Sequence, residues 1–207
     1  MKLTIAHDTI KALLLIAPKS DIRYYLNGVC VDVRNGAATL VATDGHRLLA
    51  VPVLADNVEN AIDGQYIIPR DVLDAVKPVK LSLRGTLPLT IEIVDTRITI
   101  TGATTAASPT IDGCFPDWRR VTPATANNEP AQYQPEYIAS FGKVGELLGG
   151  KKVKCVIHYN GMGAALVTFP TSEALGVIMP MRVNAEAGSA VQHPGLPAWA
   201  QMTPDAA

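Results

Sequence analysis

The sequence lacks any apolar run near the roughly 20 residues that a membrane-spanning helix needs. Its longest apolar helical stretch covers only residues 10–17. It opens on the strand-like Lys2-Leu3-Thr4-Ile5 and shows no secretory hydrophobic region, so a cytoplasmic location and no membrane partner are expected. Cysteine is scarce. Cys30, Cys114 and Cys155 are odd in number and far apart, which excludes a disulfide framework and a zinc-ligand spacing. Cys30 and Cys155 lie in apolar strand patterns and read as buried, reduced thiols. Basic excess is missing too: 18 Lys and Arg stand against 19 Asp and Glu, for a net charge of −1. Tight non-specific binding to nucleic acid draws on neutralised phosphates and released counterions. Any contact with DNA is therefore weak and without sequence preference, or confined to a local basic face.

Catalytic patterns are equally thin. The four histidines share no His-x-x-x-His spacing, there is no Gly-x-Ser-x-Gly elbow, and no Cys is paired with a His in a known motif. Asn160-Gly161-Met162-Gly163 reads as a hairpin turn, not a phosphate loop. Asp44 and His46 are the one pair imaginable as a base with its orienter. The expectation is a chain with no active site, no cofactor and no metal.

What is present is a globular composition, 48% hydrophobic and 18% charged, arranged as a repeat. A strand over 2–6 leads into a helix opened by His7-Asp8, with Asp8 as N-cap, apolar residues Ile10, Leu13, Leu14 and Ala17, and Pro18 as the stop. Strands follow at 26–33, 38–43 and 48–54, joined by Asn35-Gly36 and Asp44-Gly45 turns. The pattern restarts with a strand at 65–68, a helix opened by Pro69-Arg70-Asp71, and strands at 79–83, 89–94 and 97–102. It restarts again with a strand at 132–134, a helix from Pro135 to 148, and strands at 153–158, 164–169 and 175–181. Helix openings at His7, Pro69 and Pro135 recur every 60–70 residues or so, too long for a solenoid repeat of roughly 20–50. This is duplication of a β-α-β-β-β half-domain. Two such units are expected to pair, sheet edge to edge and helix beside helix, to share a core, and a third is left over. Residues 122–130 are composed like a linker, whereas 112–121, with aromatics, Pro and paired arginines, reads as a rigid connector. After Arg182 the chain turns Ala-, Gly- and Pro-rich and reads as a mostly disordered tail.

Two sets of residues suggest binding. Lys11, Lys19, Arg23, Tyr24, Tyr25, Arg70, Lys77, Lys80, Lys143, Lys151 and Lys152 lie on or near the three helices. They describe either a mildly basic shared face for DNA or ordinary solvated helix surface. The apolar strand Leu175-Gly176-Val177-Ile178-Met179-Pro180-Met181-Arg182 ends in polarizable Met side chains around an edge-marking Pro. It reads as a core strand or as a permissive peptide-binding surface. Val41-Ala42-Thr43-Asp44-Gly45-His46-Arg47-Leu48 taken alone is a strand, a tight turn and a strand.

Taken together, these stretches resemble a known family. Asp21-Ile22-Arg23-Tyr24-Tyr25-Leu26-Asn27-Gly28, Ala42-Thr43-Asp44-Gly45-His46-Arg47-Leu48, Ile67-Ile68-Pro69-Arg70, Asp112-Gly113-x-Phe115-Pro116-Asp117-Trp118-Arg119-Arg120-Val121-x-Pro123 and Val177-Ile178-Met179-Pro180-Met181-Arg182 are similar, in order, to the bacterial DNA polymerase III β sliding clamp. The resemblance implies an α+β DNA-clamp fold, with 1–121 as a complete clamp domain like the family's middle domain. Residues 122–131 are then a linker, 132–183 a half domain like the end of its last domain, and 184–207 a flexible tail. It also implies a pocket for short linear motifs, formed by Leu26, Thr43, Gly45, His46, Arg47, Leu48, Pro116, Arg120, Val121, Val177, Ile178, Met179, Pro180, Met181 and Arg182. There an apolar slot takes a partner's Leu and aromatic side chains, while His46, Arg47 and Arg182 orient its backbone or Gln. Lys19, Arg23, Tyr24, Tyr25 and Arg70 become the DNA-facing set. The partners implied are DNA polymerase III, other proteins carrying the clamp motif, the clamp loader, and double-stranded DNA.

Departures accompany the resemblance. The family's first domain is missing, as is the first half of its last domain, where the ring's subunit interface lies. Asp71 stands where a basic residue often faces DNA, and the tail runs past the family's usual end. A homo-oligomer is expected, either four chains by a count of twelve half-domains or two chains whose third units pair.

Overall fold

The computed structural model describes residues 1–81 and 85–182, and the expected tail lies outside them. The architecture is α+β. Its strands are β1 (Lys2–Ile5), β2 (Gly28–Arg34), β3 (Ala37–Thr43), β4 (Arg47–Pro52), β5 (Val58–Glu59), β6 (Gly64–Pro69), β7 (Leu89–Val94), β8 (Arg97–Thr101), β9 (Thr105–Pro109), β10 (Val156–His158), β11 (Ala165–Phe169) and β12 (Ser172–Ile178). The helices are α1 (His7–Ile16), α2 (Arg70–Ala75) and α3 (Pro135–Gly149). All strand pairs are antiparallel. They form a sheet ordered β5-β1-β7-β8-β9 and another ordered β10-β11-β12-β4-β3-β2-β6.

In each unit the strands after the helix make a meander, and the first two units exchange their leading strands. β1 of the first pairs with β7 of the second, and β6 of the second pairs with β2 of the first. Ile10, Leu13 and Ile16 of α1 recur at helical spacing and point into the core, with Val29, Val31 and Val33 of β2 and Leu40 and Ala42 of β3. Asn35 and Gly36 sit at φ 50° and 78°, so the β2–β3 hairpin has the left-handed turn that matches strand twist, and Asp63 accepts both backbone N–H groups at 2.9 and 3.1 Å.

The third unit is not left over. β12 pairs with β4 in the register Ile178 opposite Arg47 to Leu175 opposite Ala50, and α3 lies beside α1. Gly176 makes this possible: a Cβ there would come within 2.5 Å of Cε1 of Phe141, the fully buried ring of α3.

Several local expectations differ from what forms. Helix α1 begins at His7 with Ala6 as its cap residue, so Asp8 is not the N-cap; it sits in the first turn and pairs with Lys11 at 2.5 Å. Leu26 closes a 3-10 turn over Tyr24–Leu26, outside the strand. Residues 79–81 form no strand, only a Lys80–Thr86 bridge, and residues 82 and 83 lie outside the description. Residues 132–134 form no strand either; Gln132 instead accepts the Met181 N–H at 2.7 Å just ahead of α3. Val153, Lys154 and Cys155 precede a β10 that is shorter than expected, and β5 and β9 were not anticipated.

Candidate functional site

The β3–β4 turn is built by its own side chains. Gly45 lies at φ 88°, a conformation open to glycine at little cost. The Asp44 carboxylate accepts the N–H groups of His46 and Arg47, each at 2.9 Å, and the Arg47 Nε–H at 2.8 Å. Thr43 Oγ1 donates to the Arg47 carbonyl at 2.8 Å and accepts from the Gly45 N–H at 3.0 Å. From behind, Arg23 donates to the Asp44 carbonyl at 2.8 Å while Asp21 grips its guanidinium. The side-chain and backbone hydrogen bonds from Arg23 hold the Asp21 carboxyl down at about 2.

Helix α3 supplies the opposing wall. Arg47 Nη1 donates to Ser140 Oγ at 2.5 Å, and its guanidinium lies 4.7 Å from the Tyr137 ring centroid. The His46 ring stacks on the same tyrosine at 6.1 Å. Burial first, then the Asp44 charge, pushes the Tyr137 phenol upward. The ladder between β4 and β12 runs one step further, with Met179 donating its N–H to the His46 carbonyl at 2.8 Å; Met181 donates to the Gln132 carbonyl at 2.7 Å. Between these elements opens a cleft of about 610 Å³, lined by Gly45, His46, Gln134, Tyr137, Met179, Pro180, Met181 and Arg182. Met179 and Met181 are 40% and 44% exposed, so adaptable apolar surface faces solvent.

Of the residues expected in a pocket, Gly45, His46, Met179, Pro180, Met181 and Arg182 meet at this cleft. Arg47 stands behind it, spent on Asp44, Ser140 and Tyr137. Leu26, Leu48 and Val177 are buried together with Phe115 and Trp118 in a second apolar cluster, Thr43 serves the turn, and Ile178 belongs to the main core. Pro116, Arg120 and Val121 are exposed on the connector that covers this second cluster; Arg120 pairs with Asp117 at 3.4 Å. Trp118 Nε1 donates to buried Asp32 at 2.8 Å, and Arg119 bonds the same carboxylate and stacks on Trp118. Burial raises the Asp32 pKa, but the Arg119 and Trp118 hydrogen bonds outweigh it and leave the group below its usual range.

Gln134 and Tyr137 were not anticipated. Gln134 is the cap residue of α3 and Tyr137 lies in its first turn, donating its N–H to the Gln134 carbonyl at 3.0 Å, so the two become cleft neighbours once α3 is placed beside the turn. As an acid–base pair, Asp44 and His46 have no support, because the carboxylate is engaged by backbone and Arg47, and no bond to the imidazole forms. Among the described residues no group of His, Cys, Asp and Glu is placed to hold a metal ion.

The DNA-facing candidates are scattered in role. Lys19 and Tyr24 are exposed, and Tyr25 packs edge-on to Tyr24. Arg23 is committed to Asp21 and Asp44. Arg70, its side chain 12% exposed, donates to the Leu14 and Ala17 carbonyls at 2.8 and 2.6 Å and pairs with Asp74. It thereby caps the C-terminal carbonyls of α1.

The profile of the DNA polymerase III beta subunit, central domain, matches residues 3–117. The chain belongs to the β sliding-clamp family. The Pseudomonas aeruginosa β sliding clamp is 36% identical over 105 residues, covering 51% of this chain and 28% of that clamp. The Caulobacter vibrioides clamp is 37% identical over 107 residues, covering 50% and 28%. The crystal structure of the Pseudomonas aeruginosa DNA polymerase III subunit beta superposes with a TM-score of 0.64 at 20% identity over 88% of this chain and 66% of that one. A Thermotoga maritima beta subunit gives 0.62 at 14% identity over 89% and 66%. The fold is that of a sliding clamp, and the alignments span about a quarter of the clamp relatives by sequence and just under two thirds by structure. No helix among the described residues is long and apolar enough to cross a membrane.

Proposed function

We propose that this clamp homologue is a non-enzymatic accessory subunit whose cleft holds short motifs of DNA polymerase III and other replication or repair proteins. The single observation that supports the reading most is the cleft, where the His46 turn, the Tyr137 face of α3 and Met179 to Arg182 converge around about 610 Å³. Its dimensions and mixed lining suit a Leu or aromatic anchor with a polar group alongside. His46 and Arg182 supply the polar contacts, and Met179 and Met181 mould to the anchor. Where several chains assemble around DNA, the near-neutral charge gives a loose grip compatible with sliding, and the chain acts as a processivity factor.

Titration with a polymerase-derived clamp-motif peptide tests this. His46→Ala and Met179→Ala should each weaken binding by about tenfold. Absence of binding by the wild type at millimolar peptide would overturn the reading. Because the alignments span only part of a clamp, a non-encircling adaptor that sequesters clamp partners is the second reading. Light scattering together with retention on circular but not linearised DNA separates the two, and a species never retained on circles favours the adaptor.

A further inference from the structure

Asparagine followed by glycine occurs three times, at Asn27-Gly28, Asn35-Gly36 and Asn160-Gly161. Glycine has no Cβ to crowd its own nitrogen, which can therefore reach the side-chain carbonyl carbon of the asparagine before it. The fold closes two of the three steps. Asn27 Oδ1 accepts the Asp21 N–H at 2.7 Å, and its Nδ2 donates to the Asp21 carbonyl at 3.0 Å. Gly28 is pressed so closely on β6 that a Cβ would lie 2.2 Å from the Ile68 carbonyl oxygen. Asn160 Oδ1 accepts the Asn127 N–H at 3.3 Å, and its Nδ2 donates to the Ala164 carbonyl at 3.1 Å. Gly161 is buried and donates its N–H to the Glu129 carbonyl at 2.9 Å. Asn35 and Gly36, by contrast, form the exposed tip of the β2–β3 hairpin. The Asn35 side-chain amide makes no hydrogen bond among the described residues, and nothing lies within 4 Å of where a Gly36 Cβ would stand.

We propose that Asn35 is a modification site, where the chain converts its own side-chain amide to a carboxylate, and that Asp63 restrains the conversion. The Gly36 nitrogen gives up its proton to hydroxide and attacks Asn35 Cγ. The N–Cγ bond forms, the Cγ–Nδ2 bond breaks, and ammonia leaves with a proton taken from water. Water then opens the cyclic imide. Attack at Cγ gives aspartate at position 35; attack at the main-chain carbonyl gives isoaspartate, with the chain running through Cβ and Cγ. Nothing is oxidised or reduced. The restraint is the Asp63 carboxylate, which accepts the Asn35 and Gly36 N–H groups at 2.9 and 3.1 Å. The nitrogen must leave it before turning on Cγ. That opening is confined to an exposed turn, whereas the steps at 27 and 160 also require bonded side chains and packed backbone to be released. The product sets a further negative charge near Asp63, on a chain of net charge −1. Its isoaspartate form also lengthens the main chain within the turn that joins Arg34 to its partner Ala37. This hairpin lies at the opposite end of β3 from the Asp44 turn, so the inference stands apart from the proposed function.

The test is a time course on the full chain, held folded in mildly alkaline buffer and sampled by peptide mapping. Mass spectrometry reads amide-to-acid conversion at each site. Isoaspartate is scored by methylation with an isoaspartate carboxyl methyltransferase and labelled S-adenosylmethionine. Asn35 should convert at least about tenfold faster than Asn27 or Asn160, because each of those must also release two side-chain hydrogen bonds. In strong urea the three rates should converge, since the fold alone separates them. Asp63→Ala should speed conversion at Asn35 about fivefold, for the one hydrogen bond that holds the attacking nitrogen. Conversion at Asn35 no faster than at the other two sites in the folded chain would overturn the inference, as would a spread that persists undiminished in urea. A rate unchanged or lowered in Asp63→Ala would overturn the restraint.

Discussion

Replacing Arg47 by Ala removes the latch between the turn and α3, and its cost can be worked out from the structure. The side chain is 16% exposed; it bonds Asp44 Oδ2 at 2.8 Å and Ser140 Oγ at 2.5 Å and covers the Tyr137 ring at 4.7 Å. A hydrogen bond to a charged group contributes roughly 1.5–3 kcal/mol, and a cation over an exposed ring about 0.5–1 kcal/mol. Neither partner loses every hydrogen bond, but Asp44 Oδ2 loses its only one. Asp44 keeps the N–H groups of residues 46 and 47, and Ser140 keeps its 2.6 Å bond to the Tyr137 carbonyl. Leaving Oδ2 unpaired adds a desolvation penalty, and the expected loss is about 3–5 kcal/mol, read by urea denaturation. Peptide affinity should fall about tenfold, since His46 and Tyr137 lose their common support. A double-mutant cycle with Ser140→Ala should return a coupling of about 0.5–1.5 kcal/mol. Stability within about 0.5 kcal/mol of wild type, with unchanged peptide affinity, would show that the guanidinium contributes nothing to the wall.

Three further outcomes are expected. Gly45→Ala forces a left-handed residue and puts a Cβ 2.5 Å from Arg23 Nη1; thermal unfolding should show a loss of about 1–3 kcal/mol together with weaker peptide binding. Among the described residues the buried Tyr133 hydroxyl meets no hydrogen-bond partner, so Tyr133→Phe should be neutral or stabilising by up to about 1 kcal/mol in denaturant titration. For acid, the Asp21 carboxyl ionises at about 2 in the fold against 3.8 ordinarily. Its folded value lies below the unfolded one, so its contribution is present above about pH 4 and drains away as pH falls toward 2. Stability measured across that window should fall less steeply for Asp21→Asn than for wild type, and equal slopes would contradict the assignment.

Much of the fold was legible because the punctuation is local. Asn35-Gly36 and Asp44-Gly45 turn where the residues demand it, and α3 carries a long helical period. What was not legible depends on distant partners. The exchange of β1 and β6 between units leaves no local trace, and neither does the failure of residues 132–134 to become a strand. β9, with its mixture of small and polar residues on an edge, has too little apolar alternation to announce itself. At the cleft, the motif residues His46 and Met179 to Arg182 were readable from resemblance, whereas Gln134 and Tyr137, the cap and first turn of α3, read as ordinary surface until the β3–β4 turn is set against them. Arg47 and Arg70 show the reverse difficulty. A basic residue in sequence suggests a ligand, and only the geometry shows that each charge is already engaged inside the protein.

The pairing of β4 with β12 has a consequence for how the protein is made. The two walls of the cleft sit on adjacent, hydrogen-bonded strands, yet they come from opposite ends of the chain, Arg47 meeting Ile178. Such a contact forms only after most of the polypeptide has been closed into a loop, a slow event compared with local hairpins. A chain emerging from the ribosome has its His46 turn early, but it has no cleft until β12 is free to return. The proposed motif cleft is therefore assembled only after synthesis has passed Arg182.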